Sequence, residues 1–260
     1  MSDRLQTIFT SVVAIVVAIV LWEISVRLFD VPEYLVPTPT AVLAKMVEKA
    51  GLLAGHAYTT LYETIVGFLI GVVIGIACAI VIVYSRFLAN VIFPLILILQ
   101  IVPKVAIAPL FLIWFGYGCE SKMLIAFLIC FFPIIVNTVT GLRSVEPEMV
   151  ELVRALEATD WQIFRKVRLP NSLPFIFSGF KISITLAVIG AIIGEFVGGN
   201  HGLGYLIILA NFELDTPLMF GSLFFLSVMG LVLYGIIELL ERLLIPWSVT
   251  EEEKGVAMGI

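Results

Sequence analysis

The sequence predicts an all-α membrane protein, a polytopic helical bundle of about six transmembrane helices. Of its 260 residues, 61% are hydrophobic and 13% are charged, whereas soluble domains carry about 25% charged residues. The mean hydropathy is +1.13. Crossing a hydrocarbon layer takes roughly 20 apolar helical residues. Six spans are predicted in one transmembrane domain covering 1–260, near 8–28, 61–84, 95–115, 123–142, 173–197 and 218–240.

The first span is followed by a short polar connector. Glu23 and Arg27 lie four residues apart near the end of this span, so an ion pair along the helix can hold both charges at the interface. Three prolines within 32–39 favour extended backbone. Thr40 is then predicted to cap a short amphipathic helix.

The third span is interrupted by Pro94, Pro103 and Pro109, which predict a broken or kinked path. We expect residues 86–95 to lie along the membrane interface and the span itself to begin near Pro94.

Two ladders of small residues lie within the second and fifth spans. Both have the G-x-x-x-G spacing that lets helix backbones approach closely in lipid. Packing within the chain and a seam between two chains both fit this pattern. The residues are Gly67, Gly71 and Gly75, and then Gly190, Gly194 and Gly198.

The distribution of lysine and arginine predicts the orientation. With the N-terminus inside, nine basic residues fall on the cytoplasmic face: Arg4, Arg86, Arg143, Arg154, Arg165, Lys166, Arg168, Arg242 and Lys254. The outer face receives Arg27, Lys45, Lys49 and Lys122. This asymmetry predicts a cell-membrane protein with both termini in the cytoplasm, and it places the loop 143–172 there as well.

The loop 143–172 is dense in charges of both signs and has the pattern of two short helices. Met149, Leu152, Val153 and Leu156 have the spacing of one helical face. A second helix is predicted to begin at a capping box formed by Thr159 and Gln162. Its apolar side comprises Trp161, Phe164 and Val167.

The stretch 151–170 resembles the EAA loop of binding-protein-dependent ATP-binding-cassette (ABC) importer permeases, whose pattern is E-A-A-x3-G-x9-I-x-L-P. The residues at the patterned positions are Glu151, Leu152, Val153, Glu157, Val167, Leu169 and Pro170. The first glutamate and the final Leu-Pro match, and valine replaces isoleucine. Leu-Val replaces the two alanines, and Glu157 replaces a glycine that permits positive φ. Glu157 must therefore strain the turn or let the first helix continue.

The resemblance extends over nearly all of residues 8–247. The stretches 102–116, 194–198 and 202–207 are similar to the subgroup that imports sulfonates and taurine, nitrate or bicarbonate, and pyrimidine precursors of thiamine. The run Gly-Glu-Phe-Val-Gly at 194–198 favours the pyrimidine-precursor members.

The resemblance implies a division of labour among several chains. An external binding protein delivers the solute, two permease subunits form the path, with a homodimer as the simpler assembly, and cytoplasmic ATPase subunits bind ATP and Mg²⁺. This chain has no G-x-x-x-x-G-K-[ST] phosphate loop, so no cofactor is expected in it. The loop residues predicted to couple to the ATPase are Glu151, Leu152, Val153, Leu156, Glu157, Trp161, Phe164, Leu169 and Pro170. A loop that packs only on its own bundle is the alternative.

Several polar side chains fall inside or at the edge of the predicted spans, where a charge is costly. Glu195 is expected either to line a solute path near its outer end or to pair structurally. Asn137, Gln100 and Lys104 are further candidates for the path, and Lys181 either snorkels or lies along it.

The sequence gives little support to other classes of function. His56 and His201 are isolated and match no metalloprotease motif, so neither an enzyme nor a metal site is predicted. Three cysteines have no metal-ligand spacing, and no basic stripe indicates nucleic acid. The remaining alternative is a secondary transporter or channel not driven by ATP.

Overall fold

The computed structural model describes residues 2–247, with the side chains of 2–8 and 11 excluded. These residues form helices and turns, and no strand occurs among them. Lys254 and the C-terminus lie outside the described residues, as does the side chain of Arg4. The α-helices are α1 Ser2–Leu28, α2 Pro39–Glu48, α3 Ala50–Tyr84, α4 Arg86–Ile101, α5 Ala108–Phe115, α6 Cys119–Arg143, α7 Pro147–Ala155, α8 Asp160–Ile163, α9 Leu169–Gly198, α10 Leu203–Phe212 and α11 Thr216–Leu244.

The described chain divides into two compact units, and the single transmembrane domain stays a prediction. One contains the described residues up to Thr59 together with Asn200–Ser227. The other contains Thr60–Gly199 together with the described residues from Val228 onward. The loop 143–172 belongs to the second unit.

Four continuous helical runs are long and apolar enough to cross a membrane: Ala50–Tyr84, Cys119–Arg143, Asp160–Gly198 and Thr216–Leu244. They correspond to the second, fourth, fifth and sixth predicted spans. The pair Arg86–Ile101 and Lys104–Phe115 passes the same criteria together, which makes five. The first predicted span falls in α1, part of whose side chains lie outside the described set, so the count of six stays a prediction.

The third span has a break, as predicted, and of the three prolines that predicted it the break falls at Pro103. The helix α4 runs through Pro94 and ends at Ile101, and Val102 is extended at φ −61° and ψ 130°. After a 3₁₀ turn at Lys104–Ile107, the axis has bent by 87°. Val102 precedes Pro103, whose ring disfavours helical backbone at the residue before it. The helix therefore does not break at Pro94, and the expectation that the span begins near this residue stays a prediction.

Both glycine ladders pack within the second unit. A Cβ on Gly67 would lie 2.7 Å from Ala126 Cβ, and one on Gly190 would lie 2.6 Å from Ala126 Cα. Gly194 packs on Lys122. Because these glycines have no side chain, α3 and α9 can approach α6 closely. Of the two predicted interpretations of the ladders, the structure supports packing within the chain.

Hydrogen bonds tie α1 to α2 in the first unit, next to an ion pair within α1. Arg27 pairs with Glu23 at 2.5 Å, as predicted, and Thr40 Oγ1 donates to Glu23 at 2.9 Å. The prediction that Thr40 caps α2 was wrong. The cap is Thr38, whose hydroxyl accepts from the amide of Ala41. Pro39 follows it at the first helical position, which needs no N–H donor.

Candidate functional site

The loop 143–172 folds as a helical hairpin whose turn is centred on Glu157. The helix α7 ends at Ala155, and Glu157 has a φ of +58°. The amide of Ala158 donates to the Val153 carbonyl at 3.3 Å, and that of Glu157 donates to the Arg154 carbonyl at 2.9 Å. This is a Schellman motif, normally built on glycine at the position of Glu157. Of the two outcomes predicted for that glutamate, the strained turn is the one observed.

The second helix of the hairpin begins at the predicted capping box, which is confirmed. Thr159 Oγ1 accepts from the Gln162 amide at 3.3 Å, and Gln162 Oε1 accepts from the Thr159 amide at 2.8 Å. An ion pair between Arg154 and Asp160, at 3.3 Å, also joins the two helices. The turn between α7 and α8 is thus held from both sides.

A π-helical turn connects the hairpin to the membrane helix α9. It spans Phe164–Arg168, and α8, this turn and α9 form one continuous run from Asp160 to Gly198. Pro170 lacks the N–H that would donate to the Lys166 carbonyl, which is consistent with wider helical winding just before it. The hairpin is therefore joined to α9 without an intervening loop.

The apolar residues of the hairpin point in two directions. Leu152, Leu156 and Trp161 are 59%, 74% and 66% exposed. Phe164 is buried between the rings of Trp161 and Tyr84, with centroids at 5.5 Å and 6.0 Å. The prediction of Phe164 as an exposed docking residue was therefore wrong, because its ring anchors the hairpin to the end of α3.

The other predicted coupling residues lie around this exposed surface. Glu151 is exposed, whereas Val153, Leu169 and Pro170 are half-buried. On α7 the buried residue is Val150, which the predicted apolar face did not include. That predicted face therefore looks mainly outward, with Met149 exposed as well.

A buried polar cluster lies among α3, α6 and α9. Glu63, Lys122 and Glu195 are each at most 1% exposed. Lys122 Nζ lies 3.5 Å from Glu63 Oε1, and Thr60 Oγ1 donates to Glu195 Oε1 at 2.6 Å. Glu195 is thus enclosed by protein and paired in this conformation.

The remaining candidates for the solute path are scattered. Asn137 is half-buried and donates to the Pro133 carbonyl at 2.9 Å. Gln100 is exposed at the end of α4, and its backbone carbonyl accepts from Lys104 Nζ at 2.8 Å. Lys104 Nζ also lies 4.8 Å from the centre of the Phe132 ring. The role of these three residues in a path stays a prediction.

Sequence reasoning missed two associations. Glu63 is the only charged residue in the predicted span 61–84, a signal that marks a paired or functional group. Lys122 was predicted to lie on the outer face, but it is buried beside Glu63. His56 and His201, treated as isolated, have ring centroids 6.1 Å apart in the first unit. No local spacing indicated the latter contact, since 145 positions separate the two histidines.

Known proteins similar to this chain are transport permeases. A family model described as "Binding-protein-dependent transport system inner membrane component" matches residues 71–247. The riboflavin transport system permease protein RibX of Chloroflexus aurantiacus is 40% identical, over 91% of this chain and 89% of the relative. The formylaminopyrimidine transport permease protein ThiX of Halalkalibacterium halodurans is 35% identical, over 88% and 91%. The putative aliphatic sulfonates transport permease protein SsuC of Bacillus subtilis is 33% identical, over 89% and 84%.

A solved structure supports the fold. The inward-facing MetNI methionine ABC transporter contains a chain that superposes with a TM-score of 0.66 at 22% identity, covering 75% of this chain and 97% of that one.

The fold and these matches define a membrane permease of ABC importers and not an enzyme. The chain belongs to the family of binding-protein-dependent transport system inner-membrane components. Membership implies a separate ATPase, which uses ATP, and a solute-binding protein as partners.

Proposed function

We propose that the hairpin formed by Pro147–Arg168 is the surface through which this permease couples to its ATPase. The observation that carries the proposal is the exposure of Leu152, Leu156 and Trp161 together on one rigid hairpin. Large apolar side chains grouped at a polar surface mark an interaction site. Short amphipathic helices of this kind bind by placing their apolar face in a groove of the partner.

The construction of the hairpin suits the transmission of force. Its turn is closed by the Schellman motif and the capping box, and Phe164 fixes its far end against Tyr84. A displacement imposed on Trp161 by a moving partner would therefore shift α9 as a body and would not be absorbed by a flexible loop.

Replacement of Leu156 and Trp161 by alanine in one variant tests this coupling. The variant should be inserted normally but should retain little ATPase after affinity purification, and solute-stimulated ATP hydrolysis should be lost. Replacement of Leu231 and Leu243, exposed apolar residues of α11, is the matched control and should retain the ATPase. Wild-type recovery of the ATPase with the hairpin variant would refute the proposal.

We propose further that the hairpin is cytoplasmic, with both termini on the same side of the membrane. The asymmetry of nine basic residues against four supports this orientation. A single cysteine introduced at Glu151, in a chain with its three native cysteines replaced, should react with a membrane-impermeant maleimide only in inverted vesicles. Labelling from outside intact cells would reverse the topology.

We propose that the imported solute is a nitrogen heterocycle of the flavin or pyrimidine kind. The two relatives named for such solutes, RibX and ThiX, are more similar to this chain than SsuC is. In addition, residues 198–217 contain no lysine or arginine but include Glu213 and Asp215, the second of which is paired with Lys45. Sulfonates and nitrate are permanent anions, and acidic side chains at the mouth of a path would repel them.

Isolation of the binding protein that stimulates this permease tests the solute class. Calorimetric titration with riboflavin, a formylaminopyrimidine and taurine should detect binding of one of the first two. Binding of taurine alone would assign the sulfonate class.

Two identical permease subunits are proposed for the assembly, and their number is measurable by native mass spectrometry of the purified complex.

A secondary transporter or channel is the alternative function. Proteoliposomes distinguish the two mechanisms, because uptake should stop when ATP is replaced by a non-hydrolysable analogue. Uptake that continues, driven by an ion gradient, would favour the alternative.

A further inference from the structure

A small cavity lies where three membrane helices have their ends. Its wall consists of Val83 near the end of α3, Leu142 and Arg143 at the end of α6, Val145, and Arg168 immediately before α9. Its volume is about 250 Å³. The helical runs that contain α3, α6 and α9 are each long and apolar enough to cross a membrane. Their common end therefore places the cavity at the depth of the lipid head groups.

Both ionisable residues in the wall of this cavity are arginines. The guanidinium carbon of Arg143 lies over the ring of Phe93, 5.5 Å from its centre, and that of Arg168 lies over the ring of Tyr84 at 5.9 Å. Neither side chain forms an ion pair or donates a hydrogen bond to another described residue. A guanidinium group is always charged and has five N–H donors. Two positive charges thus share one small cavity, and among the described residues they contact rings only.

The acidic residue nearest to Arg143 along the chain faces a different cavity. Glu146 lies in the wall of that neighbouring cavity together with Lys166. None of the described residues that line the cavity of the two arginines has a carboxylate. Like charges that share one site repel each other. An anion bound between Arg143 and Arg168 would replace that repulsion with two attractive contacts.

The chemistry of the two side chains favours a phosphate group as this anion. Guanidinium groups bind phosphate through paired N–H donors, with better geometry than a lysine ammonium has. Basic pockets between membrane helices bind phospholipid head groups in this way. A free phosphate ion carries the same group, but the acyl chains of a phospholipid hold its phosphate at the depth of this cavity.

We propose that Arg143 and Arg168 bind the phosphate group of an anionic phospholipid where α3, α6 and α9 have their common end. The bound head group joins the last residue of α6 to the π-helical turn at the base of the hairpin. The choline group of a zwitterionic lipid would be repelled by the second arginine. The site does not depend on the proposed contact with the ATPase, since Leu156 and Trp161 do not line it.

Native mass spectrometry of the permease, purified with its ATPase and titrated with short-chain phosphatidylglycerol, measures the binding. Phosphatidylcholine with the same acyl chains is the comparison lipid. The wild type should prefer phosphatidylglycerol by about thirtyfold, since each of two basic residues near the membrane surface contributes about fivefold. Arg143→Gln and Arg168→Gln should each lower this preference by about fivefold.

The matched control is Arg86→Gln. Arg86 is exposed at the start of α4, close to the end of α3 along the chain, and does not line the cavity. Its replacement removes one positive charge from the same end of the membrane helices. The preference for phosphatidylglycerol should stay close to that of the wild type, because the site itself is intact.

Equal binding of the two lipids by the wild type would overturn the proposal, and this comparison does not depend on the folding of any variant. An equal loss of preference in Arg86→Gln and Arg143→Gln would also overturn it, because the attraction would then come from diffuse surface charge. Displacement of phosphatidylglycerol by inorganic phosphate at the same concentration would assign the cavity to a free phosphate ion and would overturn the lipid assignment.

Discussion

Gly190 lies directly against the backbone of Ala126, so that a Cβ added to Gly190 would come within 2.6 Å of Ala126 Cα. Backbone atoms cannot move aside as the end of a side chain can. We expect Gly190→Ala to destabilise the folded permease by about 1–3 kcal/mol, the usual cost of overpacking. Thermal unfolding in detergent measures the effect.

The matched control is Gly230→Ala in α11, where an added Cβ meets no atom within 4 Å. This change should leave the unfolding temperature unaltered or raise it slightly, since alanine favours helix. Equal effects of the two substitutions would show that close packing at Gly190 is not important.

The turn at Glu157 should tolerate the glycine that the resemblance leads one to expect. Glu157→Gly relieves left-handed strain worth about 1–2 kcal/mol and loses part of that through the greater freedom of the unfolded chain. We expect a small gain in the unfolding temperature and unchanged recovery of the ATPase. Glu157→Val, β-branched at a positive φ, should lower both. A stabilised valine variant would contradict the observed turn.

The capping box should contribute measurably to the order of α8. Thr159→Ala removes the acceptor for the Gln162 amide and should cost about 1 kcal/mol. Hydrogen exchange at the start of α8 should accelerate about fivefold as a result. Thr159→Ser keeps the acceptor and should exchange as the wild type does.

The ion pair between Lys181 and Glu241 should show coupling in a double-mutant cycle. Lys181→Met and Glu241→Gln should each destabilise, because each breaks a largely buried ion pair. The double variant should recover a coupling free energy of about 0.5–3 kcal/mol. Strict additivity of the two single effects would show that the contact contributes no stability.

Alkaline pH should weaken one contact of the first unit. A hydrogen bond to Asp215, 3.2 Å away, raises the pKa of Lys45 above its usual value. With a raised folded-state pKa, the contribution of the pair is complete below the unfolded value of about 10.4 and is lost as pH rises through the folded value. Unfolding midpoints of the wild type and Lys45→Met should therefore differ at pH 8 and converge at strongly alkaline pH.

Much of this protein follows from local sequence, because helices in lipid must satisfy their own backbone hydrogen bonds. Composition and the length of the apolar runs were enough to predict a membrane protein and its second, fourth, fifth and sixth spans. The capping box at Thr159 was predictable because its partner is three residues away. Glu157 was predicted to strain the turn or extend the helix. These two alternatives followed because glutamate disfavours the positive φ that glycine permits at this position.

Tertiary structure decided the rest, since it depends on which helix faces meet. Phe164 and Val150 are buried while Leu156 and Trp161 are exposed, a division that periodicity alone did not reveal. Glu195 was a lone acid in the sequence, and only the packing of α3 and α9 on α6 brings it beside Glu63 and Lys122. Sequence determined which groups are charged, and the fold determined which of those charges must share one buried space.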